Sequence, residues 1–149
     1  MKREILYRGK RVDNGEWVCG FYFIDLENGL PYIMLKERRE TVEDWMIKSV
    51  RVLPETVGQF TGLTDKNGVK IFEGDLVKTN GKGKNYMANK FYTVEFIDGA
   101  FCITAKVVKT GCDFSITIRD AMFKAKHYGE TLEMEVIGNI HDNPELLHP

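Results

Sequence analysis

The chain lacks the segments that would tie it to a membrane or to an oxidising compartment. Its 149 residues contain no apolar run long enough to span a bilayer, and the charged N-terminal stretch holds no apolar core of signal-peptide length. Cys19, Cys102 and Cys112 are an odd number of cysteines without a regular spacing, which argues against a disulfide framework. We therefore expect a reduced, cytoplasmic protein without a membrane segment.

An excess of charge of either sign is also missing. Lys and Arg together number 21 and Asp and Glu number 22, so the formal net charge is −1. Proteins that coat nucleic acid or anionic membranes usually carry a clear basic excess, so binding of that kind would require a local patch here.

Residues that support common catalytic and metal chemistries are few and scattered. The chain has two serines, Ser49 and Ser115, and no Gly-x-Ser-x-Gly elbow. Cys19 lies inside an aromatic-rich segment, which favours core packing over a nucleophilic role. The candidate metal ligands show no regular ligand spacing: Cys102, Cys112, His127 and His141. We therefore predict no catalytic residue, no cofactor and no metal site.

Glu73 and Asp75 lie on either side of Gly74 and form a close pair of carboxylates. Such a pair could act as a general acid and base or as half of a cation site. The favoured interpretation is a turn, in which Gly74 adopts an unusual backbone conformation and Asp75 accepts hydrogen bonds from nearby backbone N–H groups.

Hydrophobic residues make up 43% of the chain, an ordinary globular value, and they alternate mostly with period two. Turn signals separate the alternating segments, including Asp13-Asn14-Gly15, Asn28-Gly29, Asp65-Lys66-Asn67-Gly68 and Asp98-Gly99. The predicted strands cover residues 4–8, 17–24, 32–35, 59–61, 69–72, 76–78, 91–97, 101–103, 114–118 and 134–137. Single helical turns are predicted at residues 54–57 and 144–147, whereas 36–49 and 120–128 remain ambiguous.

This pattern predicts a mainly β, antiparallel fold with at most two or three short helices. A small closed barrel is expected, because a short chain with many strands must protect its sheet edges. We treat residues 1–149 as one domain and leave residues 1–53 open as an N-terminal subdomain.

Three blocks of sequence are less generic. The central block, residues 54–78, reads PETVGQFTGLTDKNGVKIFEGDLVK, and it is flanked by an opening block at residues 5–18 and a closing block at residues 136–147. Together they resemble the YopX family of phage and prophage proteins. The resemblance implies a phage or prophage origin, a bacterial host cell and a β-rich fold related to SH3-like barrels. That family carries no established biochemical activity, so no catalytic residue is implied, and residues 79–132 match no motif that we could place.

A lysine segment, residues 78–92, is the strongest candidate for ligand binding. Its lysines have no acid between them in the sequence, and aromatic residues are interleaved, a mixture that binders of single-stranded nucleic acid use. The predicted contacts are Lys78, Lys82, Lys84, Tyr86, Lys90 and Tyr92. Alternation places Phe91 and Tyr92 on opposite faces, so only one of these rings can take part. A solvated loop is the favoured alternative, because the chain as a whole is nearly neutral.

Aromatic residues are dense near the N-terminus: Trp17, Phe21, Tyr22, Phe23, Tyr32 and Trp45. In a small barrel we expect them mostly to fill the core, with any surplus forming a self-association patch. The sequence therefore favours a non-enzymatic phage accessory protein that binds a protein of host or phage origin and forms homo-oligomers. Nucleic-acid binding is the second hypothesis, and a hydrolase that uses carboxylates or a metal is the third and weakest.

Overall fold

The computed structural model describes residues 4–38, 45–80, 90–107, 112–127 and 132–147. The chain divides into two compact units, Met1–Gly62 and Leu63–Pro149. Strands dominate the described residues, which confirms the predicted mainly β, antiparallel fold. Helix is confined there to α1 (Ile118–His127) and to 3₁₀ turns at Pro54–Thr56 and Pro144–Leu147.

The strands of the first unit are β1 (Tyr7–Lys10), β2 (Trp17–Ile24), β3 (Pro31–Arg38), β4 (Trp45–Arg51) and β5 (Gly58–Thr64), whose last residues continue into the second unit. The second unit adds β6 (Lys70–Phe72), β7 (Asp75–Asn80), β8 (Phe91–Ile97), β9 (Ala100–Val107), β10 (Cys112–Thr117) and β11 (Glu133–Asn139).

The strands of the first unit lie in the order β4-β3-β2-β1-β5. Strand β2 pairs with β1 through residues 17–20 and with β3 through residues 21–24, so the sheet changes partners at Gly20. A Cβ at Gly20 would collide with the carbonyl oxygen of Met34, so the close approach of the β2 and β3 backbones here requires a glycine.

The predicted closed barrel does not form. One isolated bridge, Arg11 to Val52, links the residues that follow β1 and β4, and the Leu53 N–H donates to the Lys10 carbonyl at 2.8 Å nearby. A single bridge gives no continuous ladder, so the sheet curls without closing. Its interior is small: Ile33, Val50 and Val52 are buried there, with Val18, Tyr22, Leu35 and Val57 packed against them.

The main sheet of the second unit has the strand order β10-β9-β8-β7-β11, and other elements of this unit cover one face of the sheet. Helix α1 begins where the Thr117 hydroxyl caps the N–H of Asp120 at 3.0 Å, and it buries Ile118, Ala121 and Ala125. These residues recur at helical spacing, and they join Ile71, Val77, Tyr92, Val94, Ile103, Leu132 and Met134 in one core. The helix therefore shields an open sheet face that a barrel would have shielded with strands.

Local turn chemistry matches the sequence closely. Asp98 and Gly99 have φ values of 49° and 82° between β8 and β9, and two consecutive positive φ values are the requirement of a tight type I′ hairpin. The predicted helical turn at residues 54–57 and the terminal one at 144–147 are confirmed as 3₁₀ turns. The ambiguous segment at 120–128 lies within α1 up to His127.

The Asp65 carboxylate organises the turn between β5 and β6. Its Oδ1 accepts the N–H groups of Asn67 at 2.7 Å and Val69 at 2.9 Å, while its Oδ2 accepts the Val136 N–H of β11 at 3.1 Å. Burial raises the pKa of Asp65, but these three backbone donors outweigh burial, so the pKa lies below its ordinary value. One side chain thus ties the hairpin turn to a strand seventy-one residues away.

Candidate functional site

The outward face of the first sheet carries large side chains that the core does not use. Along β2, Val18, Gly20 and Tyr22 face the interior, so Trp17, Cys19, Phe21 and Phe23 face outward by alternation. Strand register continues this face across β3 and β4 in two rows, Phe23–Tyr32–Arg51 and Phe21–Met34–Ser49. We call these six residues the aromatic face.

Two rings of this face stack on each other, and a third ring is largely exposed. Phe23 and Tyr32 stack with their centroids 5.6 Å apart and an interplanar angle of 18°. Phe21 is 64% exposed, and the exposed Arg51 ends the row that contains the stacked pair. At a strand spacing of about 4.8 Å, the Cα of Arg51 lies roughly 10 Å from that of Phe23. The face is therefore an apolar platform with a guanidinium at one side.

Trp17 extends this platform toward β1. The guanidinium carbon of Arg8 lies 4.9 Å from the centre of the Trp17 ring, and the Lys10 Nζ lies 5.5 Å from it. Both distances fall within the range in which a cation is attracted to an aromatic face. Trp17 therefore holds two basic side chains beside the outward rings.

An open groove of about 340 Å³ adjoins the aromatic face at Arg51. Its lining residues are Arg11, Val12, Asp13, Lys48, Ser49, Val50 and Arg51, three of them basic and one acidic. Arg11 makes a bidentate contact with Asp13, at 2.8 and 2.6 Å, and this hydrogen-bonded pair lowers the pKa of the Asp13 carboxyl. The groove therefore has more basic than acidic side chains beside the aromatic face.

The expectations that Cys19 packs in a core and that the aromatics mostly fill one are wrong for β2. Cys19 is exposed, and Phe21 is among the most exposed large apolar residues described. The physical reason is that both alternating sets of β2 are apolar, while the small interior of the first unit has room for one set. The sequence analysis did not identify Arg51, although the period-two pattern of Val50-Arg51-Val52 is a signal that could have placed it on the outward face.

Lys78 of the lysine segment has an acidic neighbour that the linear sequence does not reveal. Lys78 lies directly opposite Glu135 in the β7–β11 register. The Lys66 Nζ contacts Glu135 Oε2 at 2.6 Å, and this contact, with a smaller contribution from Asn80 and Lys78, lowers the pKa of Glu135. Although the sequence has no acid between Asp75 and Glu95, the folded surface places the Glu135 carboxylate next to Lys78.

The prediction that Tyr92 contacts nucleic acid is corrected. Tyr92 is 3% exposed and belongs to the core of the second unit, so its ring is unavailable to a ligand. Phe91 points to the opposite face and is 45% exposed, with the Lys78 Nζ 6.0 Å from its ring centre. Lys90 is exposed. The remaining predicted contacts, Lys82, Lys84 and Tyr86, lie outside the described residues.

The carboxylates at residues 73–75 form the predicted turn. Gly74 has φ of 81°, and the Phe72 N–H donates to Asp75 Oδ2 at 2.7 Å. Within the described ranges, no three His, Cys, Asp or Glu side chains are grouped closely enough to hold a metal ion. No helix in the same ranges has the length and apolarity needed to cross a membrane.

Comparison with known proteins gives a family and a fold. A family model described as YopX protein matches residues 6–148. The chain is similar to the protein in the crystal structure of EF1440 from Enterococcus faecalis, with 24% identity and a TM-score of 0.56 over 97% of this chain and 99% of that one. None of the curated proteins matches this chain. At that identity, the structural likeness shows a shared fold.

Proposed function

The chain belongs to the YopX family, and on that premise we propose that it is a non-enzymatic interaction module of a bacteriophage or prophage whose binding surface is the aromatic face. The observation that carries this proposal is the 64% exposure of Phe21, next to the stacked Phe23–Tyr32 pair on the same outward face. Contiguous exposed apolar surface marks binding sites in soluble proteins, because exposing it to water is unfavourable.

The composition of the face supports a binding role. Aromatic residues, Met and Arg are enriched in interfaces, and Tyr and Arg supply many of the side chains that dominate binding energy. The aromatic face contains Phe, Tyr, Met, Ser and Arg, and it contains no carboxylate or imidazole that could transfer a proton near pH 7. Its chemistry therefore suits contact better than catalysis.

Self-association is the second part of this proposal, and we place it at a sheet edge. Strand β4 ends the order of the first sheet, and it presents Met46 and Ile47, which are 37% and 70% exposed. An edge strand with exposed apolar side chains is a template for pairing with a second chain. A homo-oligomer joined at this edge leaves the rings of the aromatic face accessible.

A photo-crosslinking amino acid at position 21 tests the binding surface directly. The variant is expressed in host cells that carry the phage or prophage, and it is compared with one that has the same group at Phe123, which is 68% exposed on α1. The proposal predicts discrete protein or nucleic-acid adducts at position 21 that are absent at position 123. Equal adduct patterns at the two positions, or no adducts at position 21, would refute it.

Nucleic-acid binding by the lysine segment is the second candidate function. The observation that favours it is the neighbouring exposure of Lys90 and Phe91 at the start of β8, beside Lys78. Replacing Phe91 by Ala removes an outward ring from the described part of this segment, so retention on a single-stranded oligonucleotide at low salt should fall. Unchanged retention of the Phe91→Ala variant would exclude this ring from the site.

A further inference from the structure

Arg51 is the charged residue among the described outward residues of β2, β3 and β4. Across β2, β3 and β4, the described outward residues include no acid: Trp17, Cys19, Phe21, Phe23, Tyr32, Met34, Ile47, Ser49 and Arg51. Arg51 is exposed at the end of the row that contains the stacked Phe23–Tyr32 pair. The adjoining groove continues this balance with three basic residues and one acidic residue.

We propose that the aromatic face binds single-stranded nucleic acid, an inference that rests on the proposed function of that face. Bases stack on Phe21 and on the Phe23–Tyr32 pair, because every base offers an apolar π-face to an accessible ring. Phosphates lie against the Arg51 guanidinium, which donates several hydrogen bonds in a planar fork, and along the basic groove beside it.

Charge distinguishes this occupant from a second copy of the chain. A two-fold dimer through the aromatic face would set the same surface against itself. The Arg51 guanidinium would then meet a partner whose described outward residues on β2, β3 and β4 include no carboxylate. Desolvating a cation without a counter-charge is costly. On these three strands, a polyanion with apolar bases contacts both the rings and the Arg51 guanidinium, whereas the described outward residues of a second copy contact the rings alone.

The shape of the surface favours a single strand over a duplex. The rings stand on a sheet face, whereas the bases of a duplex are stacked and paired inside it and cannot reach them. Along β2, the outward residues from Trp17 to Phe23 span about 20 Å at roughly 3.4 Å per residue. This length suits a short stretch of strand, so an oligonucleotide of about 12 nucleotides, within the range of known single-strand sites, covers it.

The test measures the anisotropy of a fluorescein-labelled oligothymidine of that length with the purified full chain across a salt series. Phe21→Ala removes the central ring, and its matched control is Phe123→Ala, an equally exposed aromatic on α1. Arg51→Glu reverses the charge at the face, and its matched control is Lys124→Glu, an exposed cation on α1. Phe91→Ala reports on the lysine segment, and an unlabelled duplex serves as competitor.

The inference predicts that Phe21→Ala weakens binding by about 5-fold or more, which is the low end of the loss on removing one stacking ring. Arg51→Glu should weaken binding and flatten the slope of log affinity against log salt by about 0.7, the value for one phosphate contact on a single strand. The control variants should match wild type, and the duplex should compete poorly.

Absence of binding at low salt, equal loss in Phe21→Ala and Phe123→Ala, or a loss confined to Phe91→Ala would overturn the inference. The proposed function fails separately. Protein adducts of the crosslinker at position 21 without oligonucleotide binding would retain the face as a binding surface and assign it a protein partner. Neither adducts nor oligonucleotide binding would remove both proposals.

Discussion

Asp65 offers a quantitative test of how the second unit is held together. Its two carboxylate oxygens accept hydrogen bonds from three backbone N–H groups. Oδ1 accepts from Asn67 and Val69, and Oδ2 accepts from Val136. In Asp65→Asn, the side-chain oxygen can accept either from Asn67 and Val69 or from Val136. The side-chain amide N–H must then face a backbone N–H at the other position, where neither group can accept. A hydrogen bond to a charged group contributes about 1.5–3 kcal/mol, so we expect the variant to lose about 2 kcal/mol of unfolding free energy.

Asp25→Asn is the matched control. Asp25 also accepts two backbone N–H groups, from Glu27 at 2.8 Å and Asn28 at 3.2 Å, but both reach the same oxygen, Oδ1. An asparagine oxygen can accept both, so we expect a loss within about 0.5 kcal/mol, the usual range for surface substitutions. Urea unfolding followed by circular dichroism measures both variants. Equal losses in Asp65→Asn and Asp25→Asn would refute the reasoning.

Wild type and Asp65→Asn should also differ in how their stability depends on pH. The folded pKa of Asp65 lies below its ordinary value of 3.8, so its carboxylate stabilises the fold fully above that pH. This stabilisation is lost as the pH falls through the folded pKa, because protonated Asp65 no longer accepts with both oxygens. The stability gap between wild type and Asp65→Asn should therefore be constant near neutral pH and shrink below about pH 4. A gap that stays constant down to pH 2 would contradict this assignment.

Three further predictions concern packing and assembly. Gly20→Ala should cost about 1–3 kcal/mol, as overpacking does, because the new methyl meets the Met34 carbonyl of the paired strand; urea unfolding measures it, and a neutral result would contradict the close approach. Tyr92→Ala should cost about 3–5 kcal/mol and Phe91→Ala within about 0.5, and reversed losses would contradict the assignment of faces. Sedimentation at high micromolar concentration should show an oligomer that Ile47→Lys dissociates, and a strictly monomeric wild type would exclude edge pairing.

Local backbone chemistry is the part of the fold that the sequence predicts best. The Asp98-Gly99 hairpin, the turn at residues 65–68 and the helical turn after Pro54 depend on a few adjacent residues, and each is found where it is expected. Closure of a barrel depends on register between distant strands, and the single Arg11–Val52 bridge shows that this register is not continued. No pattern within one strand specifies such a register.

The candidate site was less predictable because both of its key properties depend on partners far apart in the chain. Phe21 and Tyr22 are both aromatic, and the small interior of the first unit decides which set of β2 side chains remains outside. Likewise, Lys78 has no acid near it in sequence, but strand pairing sets Glu135 opposite it. The family resemblance was specific because its three blocks span the chain in order, and the match over residues 6–148 bears it out.

The alkylation rate of Cys19 tests the central claim most directly. This exposed thiol lies two positions from Phe21 on the outward side of β2, so any partner on the aromatic face should cover it. The rate is measured in cells that express the chain and in purified protein, with an introduced thiol in Phe123→Cys as the reference for each environment. The account predicts that Cys19 reacts more slowly in cells, relative to position 123, than in purified protein. An equal ratio in the two environments would contradict it.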